Sequence, residues 1–293
     1  MAWLLKLRPS DSVTVGFSAF LLVLTAVFWE RIPAAPSLIL IYMSLVFFQL
    51  ALLKLSRMNS FLGLTRDIIF PVIAVLVIFD SLGLIVHSIN PQDLDYLLIR
   101  IDYLIFGGYP TIFLEQFLNP FLTDLLQIAY STYYFLPVAL GLALKLKGKR
   151  EEFERSLFLI LFCFYLSYVG YILVPAVGPR YAMEHLQSQS VDGFLMAKPI
   201  QDFLNLLEGV KRDAFPSGHT GIALTVLVLA YRYARDLFRW MLVPVLLLIV
   251  ATVYCRYHYV VDVIGGVGLT VVTMILGEVY YKFWLSRNDG NPL

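Results

Sequence analysis

The stretch IIFPVIAVLVIFDSLGLIVHSI, residues 68–89, decides the class of fold. Asp80 and His87 are the only ionisable residues in it, and every other position is apolar or small. A bilayer hydrocarbon core of about 30 Å is crossed by roughly 20 apolar residues in a helix. The stretch therefore predicts a transmembrane helix.

The composition extends this prediction to the whole chain. Of the 293 residues, 59% are hydrophobic and 15% are charged, whereas soluble domains carry about 25% charged residues; the mean hydropathy is +0.77. Eight apolar runs of spanning length lie at residues 13–29, 37–55, 68–89, 121–146, 157–174, 217–233, 240–257 and 263–285. We predict an all-α, polytopic membrane helix bundle of about eight transmembrane helices, forming a single membrane domain over residues 1–293.

Charge indicates both partners and orientation. A net charge of +1 argues against nucleic acid as a partner, because such binding needs a large basic face. If the eight runs alternate, 15 of the 22 Lys and Arg residues fall on the side of both termini and 7 on the other. By the positive-inside rule, both termini are expected in the cytoplasm.

The N-terminal apolar run and the two cysteines are both interpreted as parts of membrane helices. The first 30 residues could be a signal peptide, but the apolar run is long and no small-residue cleavage site follows it, so we interpret it as an anchor. Cys163 and Cys255 both lie in predicted spans, which makes a disulfide framework or a zinc cluster improbable.

Two long stretches lie between spans on the predicted outer side. In residues 91–120, apolar residues recur at helical spacing opposite Asp93, Asp95, Arg100 and Asp102, which predicts an amphipathic helix on the outer surface. In residues 175–216, Ile200, Phe203, Leu204 and Leu207 repeat at helical spacing and predict a second surface helix.

Three short blocks lie where the later spans meet that outer side: VGPRY at 177–181, FPSGH at 215–219 and RYHYVVD at 256–262. Ionisable groups this close to hydrocarbon are costly, so their convergence from separate helices indicates a site. His258 and Asp262 share a face if the backbone is helical, and Asp262 can then accept a hydrogen bond from one ring nitrogen and leave the other free to attack. Such a pair also arises often by chance.

The PSGH block has the signature of a helix start, with Ser217 near the cap and Gly218 allowing a ligand close to the backbone. Amide groups at a helix start bind anions, and His219 then lies beside the anion. A capped helix with an incidental histidine is the simpler alternative. The guanidinium of Arg180 suits phosphate oxygens, and Arg256 is a candidate second donor. The alternative is that both arginines extend to lipid headgroups at the membrane surface. Their charge argues against a metal site, so no metal is predicted.

These blocks resemble the type 2 phosphatidic acid phosphatase superfamily of membrane lipid phosphatases and related transferases. The resemblance covers roughly residues 174–266, with the Pro-Ser-Gly-His block intact at 216–219 and a closing His-x-x-x-Asp block at 258–262. It implies a six-helix catalytic core, here residues 61–293, preceded by two N-terminal transmembrane helices in residues 1–60.

The resemblance also implies the roles of the site residues. His258 is expected to form a phosphohistidine, Asp262 to orient it and His219 to protonate the leaving oxygen. Arg180 is expected to bind phosphate, and Ser217 and Gly218 to add donors. The substrate is then a lipid phosphate drawn from the membrane, no cofactor is needed, and the site faces away from the cytoplasm.

Two departures from the family pattern leave the acceptor open. The lysine of the usual first block has no counterpart, and the arginine of the usual third block is replaced by Thr252, with Arg256 one helical turn later. We interpret Arg256 as a substitute that acts from the same helix face. This form is more similar to the inositol phosphorylceramide synthase branch than to ordinary phosphatases. The acceptor can therefore be water, as in a phosphatase, or a lipid alcohol, as in a headgroup transferase. A non-catalytic lipid transporter or scaffold with the same fold is the third alternative.

Overall fold

The computed structural model describes residues 7–56, 59–207 and 212–288, and this part of the chain is built of helices joined by turns and loops. The helices are α1 (Pro9–Val27), α2 (Ala35–Leu55), α3 (Ser60–Ile89), α4 (Asp95–Phe106), α5 (Pro110–Phe117), α6 (Pro120–Tyr134), α7 (Leu136–Leu146), α8 (Arg150–Leu173), α9 (Ala197–Leu207), α10 (Gly218–Tyr233), α11 (Arg235–Tyr254) and α12 (Val260–Arg287). Three residues of the charge count, Lys6, Arg57 and Lys211, lie outside the described residues. The all-α prediction is confirmed.

Among the described helices, six are long and apolar enough to cross a membrane, and the number rises to eight if each bent pair counts as one span. The predicted span at 121–146 is the pair α6 and α7, which bend by 51°. The predicted outer helix belongs to the pair α4 and α5, which bend by 67°. The predicted span at 217–233 is α10, which has 16 residues.

The short helix α10 begins beside the start of α12 and ends beside the start of α8. At one end the amide of Ser217 donates to the carbonyl of Asp262, and at the other Lys149 Nζ donates to the carbonyl of Tyr233. Small residues let α10 and α12 approach closely: Thr270 Oγ1 donates to the Gly221 carbonyl at 2.9 Å, and a Cβ on Gly221 would lie 2.7 Å from Leu269 Cδ2. Close approach of this kind is how membrane helices gain contact. The packing brings the PSGH and HxxxD blocks to one end of the bundle.

The helix α1 packs against this bundle through α8, and α2 packs on α1. Phe17 stacks on Tyr165 at 4.6 Å between ring centroids, and Tyr165 donates to Thr14 at 3.1 Å. Near the start of α1, a network of partly buried charged groups and one buried glutamine joins α1, α2, α3, α7 and α8; its members are Arg8, Asp11, Gln49, Arg66, Asp67, Lys145 and Glu154. The division of the chain into two N-terminal helices, residues 1–60, and a catalytic core, residues 61–293, stays a prediction.

Asp11 is the centre of this network, so Asp11→Ala is expected to destabilise the fold. Its carboxylate, 3% exposed, accepts from Arg8 at 3.0 Å and Arg66 at 2.8 Å. Removing one partner of a buried ion pair leaves uncompensated charge and costs about 3–5 kcal/mol. Thermal unfolding in nanodiscs measures the change, with Asp236→Ala as the control because that carboxylate is 78% exposed. Equal melting temperatures for the two variants would contradict the prediction.

Candidate active site

His258 lies in a sharp turn between α11 and α12. The turn is a Schellman motif, in which Arg256 N donates to Val253 O at 3.0 Å and Tyr257 N to Thr252 O at 3.0 Å. Arg256 takes the left-handed position, with φ 61°, which glycine usually fills at no steric cost. The turn directs His258 into the protein, where it is 4% exposed.

The ring of His258 is oriented by two oxygen atoms. Nδ1 lies 2.8 Å from the carbonyl oxygen of Ala214 and 3.5 Å from Asp262 Oδ2. A carbonyl oxygen only accepts, so Nδ1 carries the hydrogen and Nε2 keeps its lone pair. Sequence reasoning predicted the carboxylate as the hydrogen-bond partner and missed the closer carbonyl.

Asp262 also caps the helix that follows His258. Its Oδ2 accepts from the amide of Tyr259 at 2.8 Å, and the side chain is fully buried. This is the N3 carboxylate of a capping box, which satisfies a backbone donor at the start of α12. One carboxylate thus fixes the helix start and lies beside the imidazole.

His219 faces His258 from the first turn of α10, with 5.8 Å between the ring centroids and 58° between the planes. Its ring lies between Tyr130 and Tyr133, at centroid distances of 4.3 Å and 4.2 Å. The predicted helix start is confirmed, because the hydroxyl of Ser217 accepts from the Thr220 amide at 3.2 Å. Helix starts of this kind direct amide groups at an anion.

Gly218 meets a steric demand at this helix start. A Cβ on Gly218 would come within 2.3 Å of the Tyr171 hydroxyl. A side chain at position 218 would therefore require the Tyr171 hydroxyl on α8 to move. The anion-binding role of Ser217 and Gly218 stays a prediction.

The Gly-Pro-Arg block packs directly on the His258 turn. The amide of Arg180 donates to the carbonyl of Arg256 at 2.9 Å. Gly178 has φ 85°, and a Cβ there would lie 2.6 Å from the Tyr257 carbonyl oxygen, so glycine is required on both counts. The three blocks predicted to converge do meet at one end of the bundle.

Arg256 is placed differently from its prediction. The helix α11 ends at Tyr254, so Thr252 and Arg256 do not share a helix face. The guanidinium of Arg256, 4% exposed as a residue, donates to Glu115 at 2.8 Å and to Gln187 at 2.9 Å. The premise of helical continuity is wrong because the chain turns through a left-handed residue, and phosphate binding by Arg256 stays a prediction.

Sequence reasoning missed four acidic residues around this site: Asp95, Asp102, Glu115 and Asp213. Asp95 and Asp102, on α4, were predicted on the polar outer face of an amphipathic helix, but they are 6% and 3% exposed, while Leu104 on the same helix is 71% exposed. The face with Asp95, Leu98 and Asp102 therefore points into the protein, and the face with Leu104 points outward. Among the described residues, no group of three His, Cys, Asp or Glu could hold a metal ion.

Asp213 and Asp262 set the charge around His258. Burial lowers the pKa of His258, but the hydrogen bond and charge of Asp262, with the charge of Asp213, outweigh it and raise the pKa above its ordinary value of 6.5. Burial raises the pKa of Asp213 to about 6, against the opposing charge of His258. Above about pH 6 the Asp213 carboxylate is therefore ionised and favours the imidazolium form of His258.

These shifts predict a pH dependence. A nucleophilic imidazole must be unprotonated, so kcat/KM is expected to fall as pH decreases through the raised pKa of His258. Asp213→Asn removes one cause of the shift and is expected to move this acid limb to lower pH, whereas the exposed Asp192→Asn leaves it in place. Profiles of kcat/KM against pH measure the difference, and an identical acid limb in Asp213→Asn and wild type would contradict it.

Comparison with known proteins gives three findings. A family model described as the PAP2 superfamily matches residues 98–276. A PA-phosphatase related-family protein of Dictyostelium discoideum is 23% identical over 186 residues, which cover 57% of this chain and 34% of that protein. A phosphoinositol dihydroceramide synthase of Bacteroides thetaiotaomicron is 24% identical over 189 residues, 56% of each chain. The match thus spans between a third and a little over half of these relatives, and no solved structure matches.

Proposed function

Because this chain belongs to the PAP2 superfamily, as a multi-pass integral membrane protein, we propose that it transfers phosphoryl groups from lipid phosphates through a phosphohistidine. The observation that carries the proposal is the facing pair His258 and His219, with the Nδ1 atom of His258 directed at two oxygen acceptors. That arrangement gives one imidazole a free lone pair and places a second imidazole across from it.

In the proposed first step, Nε2 of His258 attacks phosphorus, the P–N bond forms and the bond to the leaving oxygen breaks. His219 donates its proton to that oxygen. The positive charge that develops on the His258 ring is stabilised by Asp262 and the Ala214 carbonyl. Arg180 and the amides at the start of α10, at Ser217 and Gly218, bind the phosphoryl oxygens, with Arg256 as a further proposed ligand.

In the second step, His219 takes a proton from the acceptor, whose oxygen attacks phosphorus while the P–N bond breaks. Water as acceptor gives free phosphate, and a lipid alcohol gives a phosphodiester when the transferred group carries a headgroup. The second outcome is favoured by the match to the phosphoinositol dihydroceramide synthase.

A cavity of about 200 Å³ supports a lipid substrate. It lies between α3, α7 and α8, has mainly apolar walls, and reaches His219 and Asp213 at one end and Asp67 at the other. Its lining on α8 runs from Phe153 to Tyr171, which is about 27 Å of helix at 1.5 Å per residue. We propose that part of a hydrocarbon chain enters this space, with the phosphate at the histidines.

Val138→Trp, which fills this cavity, is expected to raise KM for long-chain lipid phosphates about tenfold or more, because a lost chain contact costs about 1–3 kcal/mol. Turnover of a short, water-soluble phosphate ester is expected to stay unchanged. Leu142→Trp is the control, since this residue on the same helix is 40% exposed and outside the cavity. An equal rise in KM for long-chain and short substrates would contradict a binding site for the hydrocarbon chain in this cavity.

The acceptor is tested with purified protein in nanodiscs and two labelled substrates, a lipid phosphate and a phosphodiester lipid labelled in its headgroup, each with and without a lipid alcohol. Free phosphate identifies a phosphatase, and a new labelled phosphodiester identifies a headgroup transferase. A wild type that binds the lipid but turns over neither substrate would contradict both and favour the transporter or scaffold.

We also propose that the termini are cytoplasmic and the site faces away from the cytoplasm, on the charge count of 15 against 7. Ser188, in the loop beside the site, provides a reporter position. A cysteine there is expected to react with a membrane-impermeant maleimide added outside right-side-out cells or vesicles. Labelling only after permeabilisation would contradict this orientation.

A further inference from the structure

Asp95 and Asp102 lie seven residues apart on α4, about two helical turns, so they share one face of the helix. Both are buried, at 6% and 3% exposure, and the hydrogen bonds that they accept come from uncharged donors. Buried carboxylates without a cation are costly unless several donors satisfy them. The donors here are backbone amides and one hydroxyl, all from the active-site segments.

Asp102 caps the helix that follows the nucleophile. Its two oxygens accept from the amides of Val260 at 2.9 Å and Val261 at 2.8 Å, the first two residues of α12. Asp262 accepts the preceding amide, that of Tyr259. A carboxylate from a distant helix thus completes the cap and also matches the positive end of the helix dipole.

Asp95 links the segment before Arg180 to the segment after His258. One oxygen accepts from the Val177 amide at 3.0 Å; the second accepts from the Gly178 amide at 2.9 Å and the Tyr259 hydroxyl at 2.8 Å. A single carboxylate therefore contacts the block that contains Arg180 and the residue directly after His258. Leu94, at the start of α4, adds a bond from its amide to the Pro175 carbonyl at 2.7 Å.

We propose that Asp95 and Asp102 are positioning residues, which hold the Arg180 segment and the His258 segment in one register so that both reach the same phosphoryl group. The proposal rests on the proposed function of His258 and Arg180. It assigns α4 a task beyond packing at the bilayer surface: the helix carries neither reacting group but fixes the distance between them. A misplacement of about 1 Å can cost roughly 100-fold in rate. Loss of these bonds is therefore expected to lower the rate even in a variant that folds.

The variants Asp95→Asn and Asp102→Asn test this, because asparagine keeps the shape but turns one acceptor into a donor that opposes an amide hydrogen. Each is expected to lower kcat/KM about 10- to 100-fold and to weaken inhibition by vanadate, a phosphate mimic, by a similar factor. Tyr259→Phe removes one bond of Asp95 and leaves the two amide bonds, so a smaller loss of about 2- to 5-fold is expected. If an asparagine variant does not fold, Tyr259→Phe still tests the proposal, because it removes only one hydrogen bond.

Asp124→Asn is the matched control. Its carboxylate also caps a helix start, accepting the amides of Phe194, Leu195, Met196 and Ala197 before α9. A purely structural cap predicts lower thermal stability with vanadate inhibition within about twofold of wild type. If Asp102→Asn and Tyr259→Phe fold and bind vanadate as the wild type does, the proposal is wrong.

Hydrogen exchange separates this proposal from the proposed function. Faster exchange at the Val177, Gly178, Val260 and Val261 amides is expected in the matching aspartate variants, whether or not the protein turns over a substrate. A wild type that neither turns over phosphates nor binds vanadate would contradict the proposed function alone. Unchanged exchange at these amides would overturn the positioning role alone.

Discussion

His258→Ala is expected to lower turnover by about 10⁴-fold or more, because no other group can form the covalent intermediate once the attacking nitrogen is gone. The effect is the largest that we expect for any single change in the chain. Initial rates with a panel of lipid phosphates measure it. His258→Gln tests the same loss with a side chain that fills more of the buried site.

The matched control is His185→Ala, because His185 lies in the loop on the same side of the bundle and is exposed. That variant is expected to keep wild-type turnover. Rapid quenching of the wild type with phosphorus-labelled substrate is expected to leave label on the protein that is stable in alkali and lost in acid, as a phosphohistidine is. Full activity in His258→Ala, or labelled protein from that variant, would refute the nucleophile assignment.

His219→Ala is expected to give the second-largest loss, about 10²- to 10⁴-fold with alkyl phosphate substrates, because an alkoxide leaves poorly without a proton. A nitrophenyl ester needs no such proton, since its leaving oxygen is already a weak base. The loss in the first step is therefore expected to be much smaller with that ester. Burst kinetics with both kinds of ester measure the difference.

His219→Phe separates the proton from the ring. Phenylalanine keeps an aromatic ring between Tyr130 and Tyr133, at the positions where His219 packs 4.3 Å and 4.2 Å from their centroids. If His219 serves only to pack, His219→Phe recovers most of the activity lost in His219→Ala. Recovery of that kind, or equal losses with alkyl and nitrophenyl esters, would contradict the role of proton donor.

Residues whose signals are local could be predicted well. The run at 68–89 is confirmed as helix because a 22-residue run with only two ionisable side chains has few alternatives in a bilayer. The start of α10 at Ser217 follows from a cap that acts within three residues. The surface helix that contains Ile200 and Leu204 was confirmed for the same reason, since its repeat is contained in a few turns.

Residues whose partners are distant in the chain could not be predicted. The end of the helix before Arg256 was also missed, although it is local, because glycine, the usual signal for a left-handed residue, is missing there. The carbonyl of Ala214 carries no side-chain signal, although it is the closest partner of the His258 ring. The acidic residues of α4 were assigned to the wrong face because periodicity gives spacing but not direction.

The sequence by itself determined an all-α membrane protein, its PSGH and HxxxD blocks, and the family to which they belong, because apolar length and short motifs are written in neighbouring residues. Only the tertiary structure decided what holds those blocks together. Asp95 meets the Tyr259 hydroxyl across 164 residues, and Asp102 meets the Val260 amide across 158. Contacts at such separations depend on how whole helices pack, and no local pattern encodes that packing.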